Sequence, residues 1–247
     1  MSLNLYEMNP EIYDDYISTQ IEKKNFKEVF WLIKKICKNK KNINILDFCC
    51  GTGTFARLWL TKIKNIRYEG VDINDEFINF AKRKVKDSRF RFITHDALSF
   101  HSKEKFDIIL ATSAYHHIID KKKRNFLQNI YNHLQDDGFL IIYEKILDKF
   151  SNKIEAIDVG TKFYLERIKY MVKTEKINKN QMFALFNEQY LTSIRQEEYK
   201  IDYEYFASDI KATGFAMKKV IKMWPKSNIF KNKKVGDFIF LLKKYQK

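Results

Sequence analysis

The 247-residue sequence predicts an α/β fold with a doubly wound, mostly parallel sheet of seven strands. Short apolar runs alternate with helical stretches, a rhythm typical of strand–helix–strand units and of parallel strands. A glycine-rich turn follows the first apolar run, where the pattern passes from strand to helix. Two apolar runs joined by a polar loop end the chain and predict a C-terminal antiparallel hairpin.

The N-terminal helical segment, residues 1–42, is predicted to form a helix over residues 11–38. Its apolar side chains recur at about 3.6-residue spacing, at Ile12, Tyr16, Phe26, Phe30, Ile33 and Cys37. The period changes at Ile43–Phe48, a short apolar run that predicts the first strand. A helical pattern resumes at Thr54 and continues to Ile63.

The middle of the chain repeats this alternation. Four further strands are predicted at Arg67–Asp72, Phe90–His95, Phe106–Ala111 and Gly138–Glu144. The last two are apolar at nearly every position, as in parallel strands that are buried on both faces. Helices are predicted at Asp75–Lys86, whose acidic start suits the positive end of the helix dipole, and at Asp120–Leu134.

Residues 145–200 interrupt the alternation with two helical stretches that are dense in aromatic side chains. We interpret them as a helical cap insertion. A helix at Tyr203–Ala212 follows, and Phe215–Trp224 and Val235–Lys243 form the predicted hairpin. Since there is no internal repeat and no low-complexity linker, residues 1–247 are predicted to form a single domain.

The composition restricts the class of protein. Lys and Arg number 46 against 31 Asp and Glu, a net charge of +15 that is spread along the whole chain. This charge allows an RNA partner without favouring one over a solvated surface. The longest apolar runs span about five residues, far short of the roughly 20 that cross a bilayer, and three cysteines indicate no disulfide framework. We therefore expect a soluble, cytoplasmic protein without a membrane partner; the oligomeric state stays open.

Polar residues follow the predicted strands at their carboxyl ends, where open α/β sheets bind ligands. Asp47 ends the first strand and precedes a turn whose glycines, Gly51 and Gly53, allow the backbone to approach a ligand. Asp72 ends the second strand, 21 residues beyond Gly51, and is placed to accept both hydroxyls of a ribose. Asp96 follows the third strand.

These segments resemble the motifs of the class I S-adenosylmethionine-dependent methyltransferases, small-molecule branch. The matching stretches, in order, are ILDFCCGTG, VDIN, THDAL, FDIILATSAYHHI and LQDDGFLIIYE. The resemblance is close over residues 43–144 and loose over 203–243. It implies a Rossmann-like methyltransferase fold, S-adenosylmethionine as cofactor and methyl transfer by in-line displacement to a small-molecule acceptor.

The resemblance also implies a set of cofactor-binding residues: Asp47, Cys49, Gly51, Gly53, Asp72, Ile73, Asp96, Ala97 and Thr112. The carboxylates at 47, 72 and 96 would lie by the methionine moiety, the ribose and the adenine amine, respectively. Ile73 and Ala97 would contact the adenine, and Thr112 the methionine tail. Cys49 stands where the family has its first loop glycine, and its side chain narrows the approach.

The acceptor loses a proton if it is a hydroxyl or a protonated amine, so a base is needed. Tyr115, His116 and His117 follow the fourth strand, on the side where the acceptor approaches in this family. We predict that at least one of them acts as the base or contacts the substrate. Glu144 is a candidate for binding a cationic group. The five histidines show neither an HExxH nor an HxH spacing, so no metal site is predicted.

Three alternatives stay open. Gly51 to Ala56 also satisfies the G-x-G-x-x-A pattern, and with Asp72 it fits an NAD(P)-dependent oxidoreductase. An RNA methyltransferase acting on tRNA or rRNA would use the same fold, although the chain lacks the Asn/Asp-Pro-Pro-aromatic turn of base-amine enzymes. A non-catalytic protein that binds S-adenosylmethionine is the third. Whether O, N or C is methylated, and in which acceptor, stays open.

Overall fold

A computed structural model describes residues 9–245. Residues 1–8 and 246–247, which belong to the predicted N-terminal segment and single domain, lie outside it. The structure confirms the α/β fold and the mostly parallel seven-stranded sheet. The strands are β1 Ile43–Phe48, β2 Ile66–Asp72, β3 Phe90–Thr94, β4 Phe106–Thr112, β5 Leu134–Ile146, β6 Phe215–Trp224 and β7 Gly236–Lys244.

The strands lie in the order β3-β2-β1-β4-β5-β7-β6. The first five in this order are parallel, and β7 is antiparallel to both β5 and β6, so the predicted C-terminal hairpin is confirmed. The chain moves outward from β1 in one direction to β3 and then returns to β4 on the other side. This reversal of strand order, between β1 and β4, opens a crevice at the carboxyl ends of the two strands.

Eight α-helices are described within residues 9–245. They are α1 Pro10–Ile17, α2 Gln20–Cys37, α3 Thr54–Leu58, α4 Asp75–Lys84, α5 Lys123–His133, α6 Lys153–Thr174, α7 Lys179–Ile194 and α8 Tyr203–Ala212. Short 3₁₀ turns lie at Leu60–Lys62, Tyr115–His117 and Asp120–Lys122. Within this part of the chain, no helix combines the length and the apolar composition that crossing a membrane requires.

The two faces of the sheet pack into separate cores. Ile108 and Leu110 of β4 join a core with α2, α3, α4 and the helices of residues 145–200. Ile109 and Ala111 join a second core with α5 and α8. Because successive side chains of a strand alternate between faces, an uninterrupted apolar run fills both layers.

Four predicted helices differ from the structure, and the one predicted at Asp75–Lys86 ends at Lys84. The helix predicted over 11–38 is broken at Ser18 and Thr19, where extended backbone at Thr19 (ψ 156°) redirects α1. The helix from Thr54 ends at Leu58 and continues as a 3₁₀ turn. Residue 134 begins β5 rather than ending α5, since it pairs with Phe106 of β4. The hydrophobic periodicity of a segment does not show which distant residues that segment pairs with.

Helices α6 and α7 pack against each other, and α7 packs against α1. Arg167 of α6 is fully buried, and its Nη1 lies 2.8 and 2.7 Å from the two carboxylate oxygens of Asp237 on β7. Its Nη2 donates to Glu22 of α2 at 2.6 Å. These bonds tie α6 to the sheet and to α2, over the carboxyl ends of the strands.

Candidate functional site

A cavity of about 380 Å³ lies at the carboxyl ends of β1 and β4. One side is lined by residues that follow β1, β2 and β3, including Cys49, Gly51, Asp72, Ile73, Asp96 and Ala97. The other side is lined by residues of α1, of the turn after β4 and of the segment 145–200, including Tyr13, Tyr16, His116, His117, Lys145, Glu188 and Glu198. The cavity thus joins the predicted cofactor residues to the predicted acceptor residues.

The loop after β1 turns sharply beside the cavity. Cys49 has φ +57° and Gly51 has φ +56°, in the left-handed region that is costly for residues with a side chain. Cys49 therefore adopts a conformation that a glycine would adopt freely, and its side chain lines the cavity as predicted from the sequence. Over Gly51 lies the ring of Tyr13, whose Cε1 would be 3.1 Å from an added Cβ.

The carboxylate of Asp72 organises this loop. Its Oδ2 accepts the backbone N–H of Gly51 at 2.8 Å, and its Oδ1 accepts that of Asn74 at 2.9 Å. Burial raises the pKa of Asp72, and these two N–H groups act in the opposite direction. Each carboxylate oxygen keeps lone-pair capacity toward the cavity. The geometry therefore suits a carboxylate that binds two neighbouring hydroxyls.

The neighbouring residues form an apolar slot with a carboxylate at its edge. Ile73, Phe77, Ala97 and Leu98 all line the cavity beside Asp96. Ile73 keeps 58% of its surface exposed beside the buried carboxylate of Asp72. A flat apolar ligand group would cover it.

Ser113, which sequence reasoning did not single out, lines the cavity directly after β4. It has φ +54°, so the chain turns at Ser113 as it does at Cys49, one residue past a central strand. The Ser113 hydroxyl is buried and has no hydrogen-bond partner among the described residues. An unpaired buried hydroxyl is costly without a ligand. Left-handed backbone thus occurs at Cys49 and at Ser113, directly after the two strands between which the strand order reverses. The periodicity of the sequence does not show this feature.

Three residues predicted to touch the cofactor do not line the cavity. Thr112 is the last residue of β4 and pairs with Tyr143, and its neighbour Ser113 lines the cavity. Gly53 precedes α3 with φ +69°, and an added Cβ would lie 3.0 Å from Ala81 and Phe92, so the position is closely packed. Asp47 is buried behind the loop and accepts a hydrogen bond from Tyr68 at 2.8 Å.

Because of Asp47, we expect the free energy of unfolding to fall by about 2–3 kcal/mol between pH 5 and pH 7. A shift of one pKa unit corresponds to about 1.4 kcal/mol. Burial raises the pKa of Asp47 to about 7, against the Tyr68 hydrogen bond. The folded state then holds a proton that the unfolded chain has released, so stability declines as pH rises from the ordinary aspartate pKa toward 7. Urea unfolding of the wild type and Asp47→Asn at both pH values measures the difference. An equal pH dependence in the two proteins would contradict the assignment.

Tyr115, predicted as a candidate base, points away from the cavity. Its hydroxyl donates to Asp209 of α8 at 2.6 Å, and its ring packs edge-on against Phe206. Burial, followed by the hydrogen bond to Asp209, raises the pKa of its hydroxyl far above the ordinary value. We therefore correct this prediction: Tyr115 fastens α8 to the turn after β4.

His116 and His117 both line the cavity. Nδ1 of His116 lies 2.7 Å from Oε2 of Glu144, and the other oxygen of Glu144 accepts the Tyr115 backbone N–H at 2.9 Å. Burial and then the ammonium of Lys200 lower the pKa of His116, so its ring is neutral at pH 7. Glu144, predicted as a candidate for binding a cation, instead orients an imidazole.

Acidic and basic side chains form the floor of the cavity below α1 and α7. Glu188 of α7 accepts a hydrogen bond from Tyr16 at 2.5 Å and another from Lys145 at 2.9 Å. Burial opposes a charge on Lys145, but Glu188, Tyr16 and Glu22 together raise its pKa. The floor is therefore charged, held by internal ion pairs and shielded from solvent.

A family model described as a methyltransferase domain matches residues 45–138. Malonyl-[acyl-carrier protein] O-methyltransferase 1 of Ilyobacter polytropus is 25% identical over 177 residues, which cover 71% of this chain and 64% of that protein. A second such protein of the same organism is 26% identical and is covered over 48% of its length, so the chain spans less than two thirds of these relatives. An uncharacterized methyltransferase of Bacillus mycoides is 27% identical over 158 residues, 62% of this chain and 72% of that protein.

Solved methyltransferase structures share the fold. Magnesium protoporphyrin IX methyltransferase of Synechocystis, with bound S-adenosylhomocysteine, has a TM-score of 0.59 and 12% identity and covers 94% of this chain and 92% of its own. The N-methyltransferase NodS of Bradyrhizobium japonicum, in complex with the same product, has a TM-score of 0.57 and 12% identity, covering 93% and 90%. Together with the strand order, these findings show that residues 45–138 match a methyltransferase domain and that the chain has the fold of S-adenosylmethionine-dependent methyltransferases.

Proposed function

We propose that this protein transfers a methyl group from S-adenosylmethionine to a small-molecule acceptor bound between the strand ends and the inserted helices. The observation that carries the proposal is one cavity that reaches both Asp72 and Asp96 on one side and His116 and His117 on the other. A donor and an acceptor therefore have adjoining places in the same enclosed space.

The residues present fit S-adenosylmethionine. Asp72 would bind the ribose hydroxyls, and Ile73 with Ala97 would hold the adenine beside Asp96. Ser113 offers the unpaired hydroxyl nearest to the acceptor side of β4, where the methionine part would lie. Gly51 leaves room for the ligand because no side chain occupies its position. Asp47 would act indirectly, through the loop that it supports from behind.

When bound, S-adenosylmethionine supplies a methyl group that is already activated by its positive sulfur. The chain has to align the acceptor atom and exclude water. Tyr13 and Tyr16 cover the cavity from α1, and Tyr16 is held by Glu188 of α7. His116 and His117 face the acceptor and would assist the loss of its proton. Of the three predicted bases, only these two line the cavity.

The acceptor side of the cavity has walls from three parts of the chain. Side chains of α1, of α7 and of the loop after α7 enclose its acceptor side, among them Glu188, Glu198 and Tyr199. A volume of about 380 Å³ lies in the range of small-molecule sites.

We also place the protein in the cytoplasm, since its three cysteines are free thiols, as a reducing compartment maintains them.

Ligand binding tests the donor site. Calorimetric titration of the purified chain is expected to show one equivalent of S-adenosylhomocysteine bound, and no binding of NADH under the same conditions. Asp72 and the glycine turn alone fit either ligand, but Ser113 and the enclosed acceptor side favour the sulfonium cofactor. Binding of NADH without binding of S-adenosylhomocysteine would replace the proposal by the oxidoreductase alternative.

The acceptor class is tested separately, with S-adenosylmethionine labelled in its methyl group. The chain is incubated with a pool of small carboxylic acids, phenols and amines, and in parallel with total tRNA and rRNA. Transfer to the small-molecule pool is expected. Transfer to RNA alone would favour the RNA methyltransferase alternative, which the net charge of +15 keeps open.

A further inference from the structure

Three side chains on the acceptor side of the cavity have the composition and spacing of a metal-binding group. His116, His117 and Glu198 each offer one donor atom, and these atoms lie within 4.8 Å of one another. The side chains of His116 and Glu198 are buried, and that of His117 is 19% exposed. Two imidazoles and one carboxylate are a known protein ligand set of catalytic zinc sites, which leave one position open for water or substrate.

The surroundings of His116 orient it as a ligand. With the carboxylate of Glu144 as the acceptor at 2.7 Å, the proton lies on Nδ1 and the lone pair on Nε2. Nε2 lies 3.5 Å from Oε2 of Glu198, so the lone pair faces the second member of the group. At metal sites, the ring nitrogen of a histidine ligand that does not bind the metal commonly donates a hydrogen bond to a carboxylate.

The other two members are also held from behind. Nδ1 of His117 lies 2.9 Å from the backbone carbonyl of Glu197 and 3.8 Å from Oε1 of Glu198, so contacts with this loop hold the ring beside the carboxylate. Lys200 donates to Oε2 of Glu198 and holds this carboxylate in place. Both contacts come from the loop between α7 and α8, so the group joins the turn after β4 to the inserted segment.

We propose that His116, His117 and Glu198 bind one divalent transition-metal ion, with zinc as the ion that this ligand set favours. The open coordination position would face the cavity and take an oxygen or nitrogen atom of the acceptor, such as a carboxylate or hydroxyl oxygen. With the ion bound, the two imidazoles would act as its ligands, and their role as proton acceptors applies to the ion-free protein. That role toward the acceptor rests on the proposed function, whereas binding of the ion does not. Sequence spacing missed the site because two ligands are adjacent and the third lies on a distant loop.

Metal titration tests the proposal. The full chain is treated with a chelator, dialysed and titrated with ZnCl₂ by calorimetry and with CoCl₂ by visible absorption. We expect one equivalent of each ion to bind, with a cobalt spectrum typical of a site of low coordination number. His117→Ala and Glu198→Gln should each weaken zinc binding by about 100-fold or more, and Glu144→Gln by about 10–100-fold.

His101→Ala is the matched control, because His101 is exposed and does not belong to the group. It should bind zinc as the wild type does. Circular dichroism checks the fold of each variant, and His117→Ala decides if Glu198→Gln does not fold. Absence of stoichiometric binding, or binding that both substitutions leave unchanged, would overturn the proposal. If zinc does not bind but S-adenosylhomocysteine does, the metal site is wrong and the proposed function stands. If zinc binds but S-adenosylhomocysteine does not, the metal site stands and the proposed function is wrong.

Discussion

Replacing Asp72 by alanine is expected to weaken binding of S-adenosylhomocysteine by about tenfold or more, since a hydrogen bond to a charged group contributes about 1.5–3 kcal/mol. The carboxylate is 7% exposed, lines the cavity and holds the loop after β1 through the N–H groups of Gly51 and Asn74. The substitution removes the proposed ribose acceptor together with this support. Calorimetric titration of the variant and the wild type measures the loss.

Two further variants separate these contributions. Asp75→Ala removes an exposed carboxylate three residues along the chain, outside the cavity lining, and should leave the affinity unchanged. Asp72→Asn keeps the shape and one acceptor oxygen but replaces the other oxygen by a donor, so its affinity should fall between those of the wild type and Asp72→Ala. An affinity of Asp72→Ala equal to that of the wild type would show that the ribose assignment is wrong.

The largest expected loss of stability follows from Arg167→Met. The guanidinium is fully buried and contacts both oxygens of Asp237 and one of Glu22. Methionine fills similar space but leaves these carboxylates without their cation, and breaking a buried ion pair from one side costs about 3–5 kcal/mol. Urea unfolding, followed by circular dichroism, should show this decrease in the free energy of unfolding.

Lys169→Met is the control for this loss, since Lys169 lies on the same helix and its ion pair with Glu166 is largely exposed. Exposed pairs contribute about 0–1 kcal/mol, so this variant should remain near the wild type. A decrease for Arg167→Met no larger than that for Lys169→Met would mean that Lys145, 3.7 Å from Glu22, takes over the lost charge. The contact of α6 with the sheet would then depend on apolar packing alone.

Much of the fold could be predicted from local patterns. The strands at Ile43–Phe48 and Phe215–Trp224 and the helix at Tyr203–Ala212 have the predicted bounds, because apolar period and flanking turns are encoded within each segment. The break at Thr19 was missed. Thr19 and Glu22 have the spacing of a capping box, but Glu22 binds Arg167 instead, 145 residues along the chain.

The candidate site was predictable to the extent that it lies at strand ends. Asp72, Asp96 and the histidine pair line one cavity, as their positions after successive strands suggested. Thr112 and Tyr115 were placed in the site by proximity along the chain, yet Ser113 turns into the cavity while Tyr115 turns toward Asp209. Moving by one residue at a strand end reverses the direction of the side chain. The spacing of residues in the sequence does not determine which of two neighbours faces the cavity.

Local sequence determines which segments are strands, where the glycine turn lies and which acidic residues follow each strand, because these depend on neighbours a few residues apart. The contents of the acceptor side depend on distant segments. The acceptor side forms only after α6 and α7 fold back over the sheet. This folding brings Glu188, Glu198 and Lys145 together with the aromatic rings of α1. Their charges and their positions beside His116 result from burial and from long-range ion pairs, which are properties of the assembled chain rather than of any one segment.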